Sequence, residues 1–170
     1  MSSFILRAPP RGGVEKRKIM INGVIIKKLI THVDDRGYFR EIVKEGEDAF
    51  ADIKQTSASI TNPGVIKAFH FHKKQDDIWY IAQGMARVVL YDQRPDSETF
   101  GQTYSVVTGE ENPLTIRIPK GVAHGYQVLG VKPVLLLYHT TQAYNAADPD
   151  EGRIAWDDPT IGFDWSVQNR

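Results

Sequence analysis

The sequence predicts an all-β protein in which short antiparallel strands form a sandwich or barrel. Most apolar runs are about four to eight residues long, and several alternate apolar and polar side chains, as strands with one buried face do. Combinations of Gly, Pro, Asn and Asp separate these runs and indicate tight turns. Only one short segment has helical character, whereas a parallel sheet would need helices between its strands.

Ten strands and one short helix are predicted. Residues 24–29 form an apolar run, residues 39–43 alternate, and the weakly amphipathic residues 45–53 are the candidate helix. Residues 78–82 and 86–91 flank Gln83-Gly84, a pattern that predicts a hairpin. The other predicted strands are residues 56–61, 65–72, 103–107, 114–118, 126–129 and 134–140.

We expect a single folded domain at residues 20–170, because a chain of 170 residues can bury one sizeable core and no linker divides the sequence. Residues 1–19 are predicted to form a flexible basic arm. In that arm Glu15 is the single acid among several Lys and Arg side chains, and Pro9-Pro10 and Gly12-Gly13 oppose regular structure.

The composition excludes several classes of function. Lys and Arg together number 21, as do Asp and Glu, so no net charge favours nucleic acid or an anionic membrane surface as a partner. No apolar run approaches the roughly 20 residues of a membrane-spanning helix. The chain has no cysteine, which excludes disulfides and thiolate chemistry and fits the cytoplasmic location that we predict.

Two histidines in the predicted strand at residues 65–72 are the first candidates for function. Side chains two residues apart in a strand project from the same face, so His70 and His72 are expected to point together into whatever that face encloses. Histidine is suited to proton transfer near neutral pH and is also a common metal ligand. His124 follows a Pro119-Lys-Gly turn, and turns beside a rigid scaffold often carry functional residues.

The spacing around these histidines resembles the two signature motifs of the cupin superfamily. The first motif is matched by Gly64, His70, His72, Asp77 and Gly84, and the second by residues 119–124. The resemblance implies a double-stranded jelly-roll β-barrel with few short helices. In metal-binding cupins the matching side chains, here His70, His72, Asp77 and His124, hold one divalent transition metal. Other cupins hold no metal, so both alternatives stay open.

Further motifs resemble those of the dTDP-4-dehydrorhamnose 3,5-epimerases, which are also cupins. The likeness runs from about residue 34 to residue 165 and consists of several motifs in the same order. The motifs are DDRGYFRE at residues 34–41, QTSAS at 55–59, DQRPDSETFG at 92–101, IPKGVAHGY at 118–126 and IAWDDPTIGFDW at 154–165.

This second resemblance implies an isomerase that acts on a nucleotide-linked 4-keto-6-deoxy sugar. The 4-keto group acidifies the neighbouring C–H bonds, so a base on one face of the sugar and an acid on the other can invert the carbon. By position, His70 is the base and Tyr138 the proton donor. The residues that match substrate contacts are Arg36, Glu41, Gln55, Lys67, His72, His124, Tyr144 and Glu151. No cofactor is implied, and a homodimer is expected.

Three departures from the family pattern leave other functions open. The family lysine that follows the catalytic histidine is not matched, because Asp76-Asp77 occupy that position. The C-terminal aspartate that orients this histidine is expected to be missing, since the sequence ends at Arg170. His72 stands where the family usually has glutamine, and its motif resembles that of the sugar-nucleotide 3,4-ketoisomerases. The alternatives are a ketoisomerase, a metal-binding cupin and a family member that binds sugar nucleotides without converting them.

Overall fold

The computed structural model describes residues 20–167, and these residues form twelve β-strands. Two five-stranded antiparallel sheets have the orders β1-β9-β6-β11-β4 and β12-β5-β10-β7-β8, and β2 pairs with β3 in a separate hairpin. This arrangement confirms the predicted all-β jelly roll. The strands are β1 (Ile25–Lys28), β2 (His32–Asp34), β3 (Gly37–Phe39), β4 (Gln55–Thr61), β5 (Ile66–Phe71), β6 (Asp77–Gln83), β7 (Met85–Asp92), β8 (Thr103–Gly109), β9 (Leu114–Ile118), β10 (Val122–Leu129), β11 (Val134–Thr140) and β12 (Gly152–Arg153).

Nine of the ten predicted strands are present, and they correspond to β1 and to β4 through β11. The strand predicted at residues 39–43 is wrong: a hairpin ends at Phe39, and residues 40–43 are irregular. The two-residue strand β12 was not predicted, because its only partner is β5, far away in the sequence. The basic arm predicted at residues 1–19 lies outside the described residues.

The helix predicted at residues 45–53 is also wrong, and residues 20–167 contain no helix. Gly46 has a φ of 89°, a left-handed conformation that a right-handed helix does not contain. The segment bonds instead to β9: the Thr115 hydroxyl donates to the carbonyl of Ile42 at 2.6 Å, and Arg117 Nη1 donates to that of Phe50 at 3.0 Å. Among the described residues there is accordingly no helix able to cross a membrane.

The main hydrophobic core lies between the two five-stranded sheets. Ile81 and Ile116 extend into it from the first sheet, and Val88 and Leu90 extend into it from β7 of the second. All four side chains are at most 1% exposed. Apolar burial of this kind contributes about 1.5–3 kcal/mol for each large side chain, so this core holds the two sheets together.

A second, smaller cluster lies on the opposite face of the second sheet. Val89 belongs to it and alternates along β7 with the core residues on either side, as strand geometry requires. Phe69 of β5 packs there against Trp165, with ring centroids 5.6 Å apart. The indole N–H of Trp165 donates to the carbonyl of Trp156 at 2.9 Å. This cluster therefore fastens the segment after β12 to the outside of the strand that carries His70.

Candidate active site

The described residues surround a cavity of about 940 Å³. Side chains from β4, β5, β6, β10 and β11 form its wall, together with the segment between β11 and β12. Every residue predicted as catalytic, substrate-binding or metal-ligating lines this cavity, with the exception of Arg36 and Glu41. His70 and His72 lie in the same cavity wall, as the two-residue strand period predicts.

Arg36 and Glu41 lie elsewhere on the surface. Arg36 is in the turn of the β2–β3 hairpin, where its backbone N–H and its Nε donate to the Asp34 carboxylate at 2.9 and 3.2 Å. Its side chain is 85% exposed. Glu41 is also exposed, and its carboxylate lies 3.7 Å from Lys44 Nζ. Within one chain, therefore, the structure does not bring these two residues to the cavity.

His70 lies at the end of β5, half-exposed, with its Nδ1 3.1 Å from Oε1 of Glu151. A carboxylate oxygen can only accept a hydrogen bond, so this contact favours the neutral tautomer that has the proton on Nδ1 and the lone pair on Nε2. Partial burial lowers the pKa of His70, although the charge of Glu151 opposes that change. The ring is consequently unprotonated at neutral pH and is able to act as a base.

A cluster of His72, Asp77 and His124 joins the two sheets at the cavity, because Asp77 begins β6 of the first sheet and His124 lies in β10 of the second. Asp77 Oδ2 is 3.7 Å from Nε2 of His72 and 3.5 Å from Nε2 of His124. The ligand atoms of the three residues all lie within 4.8 Å of one another. Trp79 Nε1 donates to Asp77 Oδ2 at 3.1 Å, and Gln75 Nε2 donates to Oδ1 at 2.9 Å, so both carboxylate oxygens are anchored.

The tautomers in this cluster follow from the partners of Nδ1. His72 Nδ1 donates to the carbonyl of Asp150, and His124 Nδ1 donates to that of Val122 at 2.9 Å. In the neutral rings both Nε2 atoms are then acceptors that face an acceptor oxygen of Asp77. Burial alone would raise the pKa of Asp77. The neighbouring His124 and His72 together lower this pKa by more than burial raises it, so the carboxylate is ionised. A proton or a bound cation between these acceptor atoms would make their contacts favourable.

Tyr138 and Gln55 form the wall on the other sheet. Tyr138 lies in β11 between Ser57 of β4 and Trp79 of β6. Gln55 Oε1 accepts the backbone N–H of Tyr144 at 2.9 Å, so the predicted substrate contact Gln55 also anchors the segment that follows β11. Lys67 Nζ donates to the Ser59 hydroxyl at 3.1 Å, which leaves its charge at the cavity.

Sequence reasoning missed several residues of the site, among them Trp79, Tyr126 and Asp150. Trp79 and Tyr126 each lie two positions after a predicted site residue in a strand, so the alternation of side chains was a signal for them. The Tyr126 hydroxyl is 2.6 Å from that of Thr61, and burial raises the pKa of Tyr126. Asp150 had no local signal, because its carboxylate accepts the backbone N–H groups of residues 73–75, which are distant in the sequence.

The chain is similar to several known proteins. Residues 18–170 match the family described as dTDP-4-dehydrorhamnose 3,5-epimerase. The spore coat polysaccharide biosynthesis protein SpsL of Bacillus subtilis (strain 168) is 54% identical over 151 residues, which are 89% of this chain and 100% of SpsL. The probable low-salt glycan biosynthesis epimerase Agl13 of Haloferax volcanii is 37% identical over 150 residues, which cover 87% of this chain and 96% of Agl13.

A solved structure is similar over most of its length. It is the dTDP-6-deoxy-D-glucose-3,5-epimerase RmlC of Legionella pneumophila Philadelphia 1, crystallised in complex with dTDP-4-keto-L-rhamnose. The TM-score is 0.79 at 28% sequence identity, and the match covers 90% of this chain and 84% of that one. The present chain belongs to the dTDP-4-dehydrorhamnose 3,5-epimerase family.

Proposed function

We propose that the protein is an isomerase that epimerises a nucleotide-linked 4-keto-6-deoxy sugar. The observation that carries the proposal is His70, which holds a free Nε2 lone pair in a cavity that Tyr138 also lines. The relative Agl13, which is named as an epimerase, and the Legionella epimerase with its bound dTDP-4-keto-L-rhamnose support the substrate class. We assign the reaction to the cytoplasm, where the absence of cysteine is ordinary.

In this proposal His70 Nε2 removes the proton from a carbon next to the 4-keto group. The electron pair of the broken C–H bond forms a C=C bond, and the carbonyl π pair moves to oxygen to give an enolate. Tyr138 then donates its O–H proton to the opposite face of that carbon, and the carbonyl re-forms. Lys67 and Lys74, which both line the cavity, supply positive charge for the enolate oxygen and the phosphates. No electrons leave the substrate, so no cofactor is needed.

The proposal is tested by supplying a dTDP-4-keto-6-deoxy sugar in heavy water and following the C3 and C5 protons by NMR. We expect exchange and inversion at one or both carbons. Folded protein that binds the sugar nucleotide without exchange contradicts catalysis and indicates a binding protein. Exchange at C3 with a new 3-keto product indicates the 3,4-ketoisomerase alternative instead.

The buried cluster supports a second candidate, a site for one divalent transition metal. Three of the four predicted ligands, His72, Asp77 and His124, converge there, whereas His70 Nδ1 lies 3.1 Å from the Glu151 carboxylate. Histidines that donate Nδ1–H to backbone carbonyls are oriented as metal ligands usually are. We favour a cluster without a metal, because the proposed proton transfers need none.

Metal analysis separates the two states of the cluster. We expect purified protein to contain no stoichiometric transition metal and to keep its exchange activity in EDTA, because the proposed proton transfers involve no metal. One metal per chain, lost in Asp77→Asn and kept in Asp148→Asn, would instead establish the metal site. Asp148 is a matched control, since it lines the cavity rim and pairs only with Lys74 among the contacts described.

We also propose that the protein is a homodimer. The β2–β3 hairpin presents Val33, Tyr38 and Phe39 with 76%, 59% and 64% of their surface exposed. Exposed apolar side chains grouped on one element are typical of an interaction surface. A second copy that covers the hairpin gives Arg36 a route to a cavity that it does not reach in its own chain.

Sedimentation velocity tests the dimer. We expect a species of twice the 19.2 kDa chain mass, and we expect Phe39→Asp to shift the population towards monomer because a charge would be buried at the interface. Val131→Asp is the matched control, since Val131 is 91% exposed and lies in the turn between β10 and β11 rather than in the hairpin. A wild-type protein that sediments as a monomer at micromolar concentration contradicts the proposal.

A further inference from the structure

The carboxylate of Glu151 lies beside the ring of His70 because a short strand holds it there. Glu151 directly precedes β12, in which Gly152 pairs with Phe71 and Arg153 pairs with His70. The backbone hydrogen bonds continue beyond β12. The N–H of Phe69 donates to the carbonyl of Ile154 at 2.8 Å, and the N–H of Ile154 donates to the carbonyl of Phe69 at 3.0 Å. A Cβ atom at Gly152 would overlap the ring of Phe71, so glycine permits this close approach.

The residue before Glu151 is held as firmly. The carboxylate of Asp150 accepts the backbone N–H groups of Lys73, Lys74 and Gln75 at 2.9, 2.7 and 3.2 Å. These bonds lower the pKa of Asp150, although burial opposes the change. The carbonyl of Asp150 accepts Nδ1–H of His72. Glu151 is thus fastened on both sides to the strand and loop that carry the two histidines.

The Glu151 carboxylate has two cationic or polar partners and little freedom. Its Oε1 accepts Nε of Arg153 at 2.8 Å and lies 2.7 Å from Arg153 Nη2, besides being 3.1 Å from His70 Nδ1. The Glu151 side chain is 29% exposed, whereas that of Arg153 is 74% exposed. The Arg153 guanidinium therefore lies on the solvent side of the Glu151 carboxylate and offsets its charge. His70 lies on the cavity side of the same carboxylate.

We propose that Glu151 is a positioning residue for His70. By accepting Nδ1–H it fixes the tautomer and the orientation of the ring, so that Nε2 is the lone pair presented to the sugar C–H bond. Its negative charge stabilises the imidazolium that His70 becomes after it has taken the proton. The catalytic consequence rests on the proposed function, whereas the tautomer assignment stands on the contacts alone.

The tautomer is tested without substrate. Nitrogen-15 NMR of the full chain distinguishes a protonated Nδ1 from a protonated Nε2 in neutral His70. We expect the Nδ1–H form in the wild type and a shift towards Nε2–H in Glu151→Leu, because leucine offers no acceptor to Nδ1–H. A wild-type ring protonated on Nε2, or a tautomer that does not change in Glu151→Leu, overturns the assignment.

Measurements of kcat and KM separate a positioning role of Glu151 from a role in substrate binding alone. In the exchange assay we expect Glu151→Gln to lower kcat by about 10²-fold or more, with KM changed by no more than about threefold. A loss confined to KM, or no loss, overturns the positioning role. Glu111→Gln, an exposed carboxylate outside the cavity lining, is the matched control and should match the wild type. If the wild type itself shows no exchange, the proposed function fails while the tautomer measurement still decides the His70–Glu151 contact.

Discussion

Replacing His70 with asparagine is expected to lower kcat for exchange of the sugar C–H protons by about 10²–10⁴-fold, the usual contribution of a positioned general base. Asparagine has a similar shape but no basic lone pair, so the cavity stays largely intact while proton abstraction is lost. Binding of the nucleotide portion is expected to change little, since His70 touches the sugar in the proposed mechanism. The measurement is deuterium incorporation at C3 and C5 by NMR, with substrate affinity determined separately by calorimetry.

His139→Asn is the matched control for His70→Asn. His139 is also a partly buried histidine in a strand, but it lies on the face of β11 away from the cavity, where its Nδ1 is 2.9 Å from the Thr56 hydroxyl. Asparagine can keep a hydrogen bond to that hydroxyl, so we expect near wild-type exchange. Equal exchange rates in wild type and His70→Asn would remove His70 from the mechanism.

Replacing Asp92 with asparagine is expected to destabilise the protein by about 3–5 kcal/mol, the cost of removing one partner from a buried ion pair. The Asp92 side chain is fully buried, and its oxygens accept Arg94 Nε and Nη2, both at 2.8 Å, and the hydroxyls of Ser97 and Thr99, both at 2.6 Å. Arg94 also donates to the carbonyl of Asn22 at 2.7 Å, so the network joins the loop after β7 to the start of the described chain.

Urea unfolding at pH 7 measures the effect of Asp92→Asn. Asp52→Asn is the control, because Asp52 forms an exposed pair with Lys54 at 2.7 Å, and such pairs contribute less than about 1 kcal/mol. If both substitutions lower the free energy of unfolding by the same small amount, the buried network around Asp92 does not hold the loop. A dimer would raise the apparent stability of every variant, so the comparison is made at one protein concentration.

The contribution of Asp92 should also depend on pH in a defined direction. Burial alone raises the pKa of Asp92, but the hydrogen bonds from Arg94, Ser97 and Thr99 lower it well below its ordinary value of 3.8. A pKa that is lower in the folded state than in the unfolded state stabilises the protein above the unfolded pKa of about 3.9, and this stabilisation fades as the pH falls towards the folded pKa. The free-energy difference between wild type and Asp92→Asn should therefore stay constant from pH 7 to pH 5 and shrink below about pH 4.

Local patterns in the sequence were reliable where a strand is buried on one face. The predicted strands at residues 114–118 and 134–140 coincide with β9 and β11. Such strands can be recognised because a buried face requires apolar residues that alternate or follow one another without interruption. The same patterns failed at residues 39–53. There the irregular segment is bonded by Thr115 and Arg117 of another strand, and a few apolar residues near Gly46 imitate a helix.

Strand alternation in the sequence predicted a shared face for His70 and His72, and the family resemblance added His124 and Tyr138; all four line one cavity. The partner of each histidine follows only from the tertiary structure. Glu151 lies next to His70, and the carbonyl of Asp150 accepts Nδ1–H of His72. Asp150 and Glu151 belong to the segment that leads into β12, and β12 pairs with β5. His72 and Asp150 are 78 positions apart in the sequence. A hydrogen bond over such a separation follows from strand pairing, which short-range sequence patterns do not encode. Those partners determine which nitrogen of each histidine is free, and hence the chemistry that each histidine can perform.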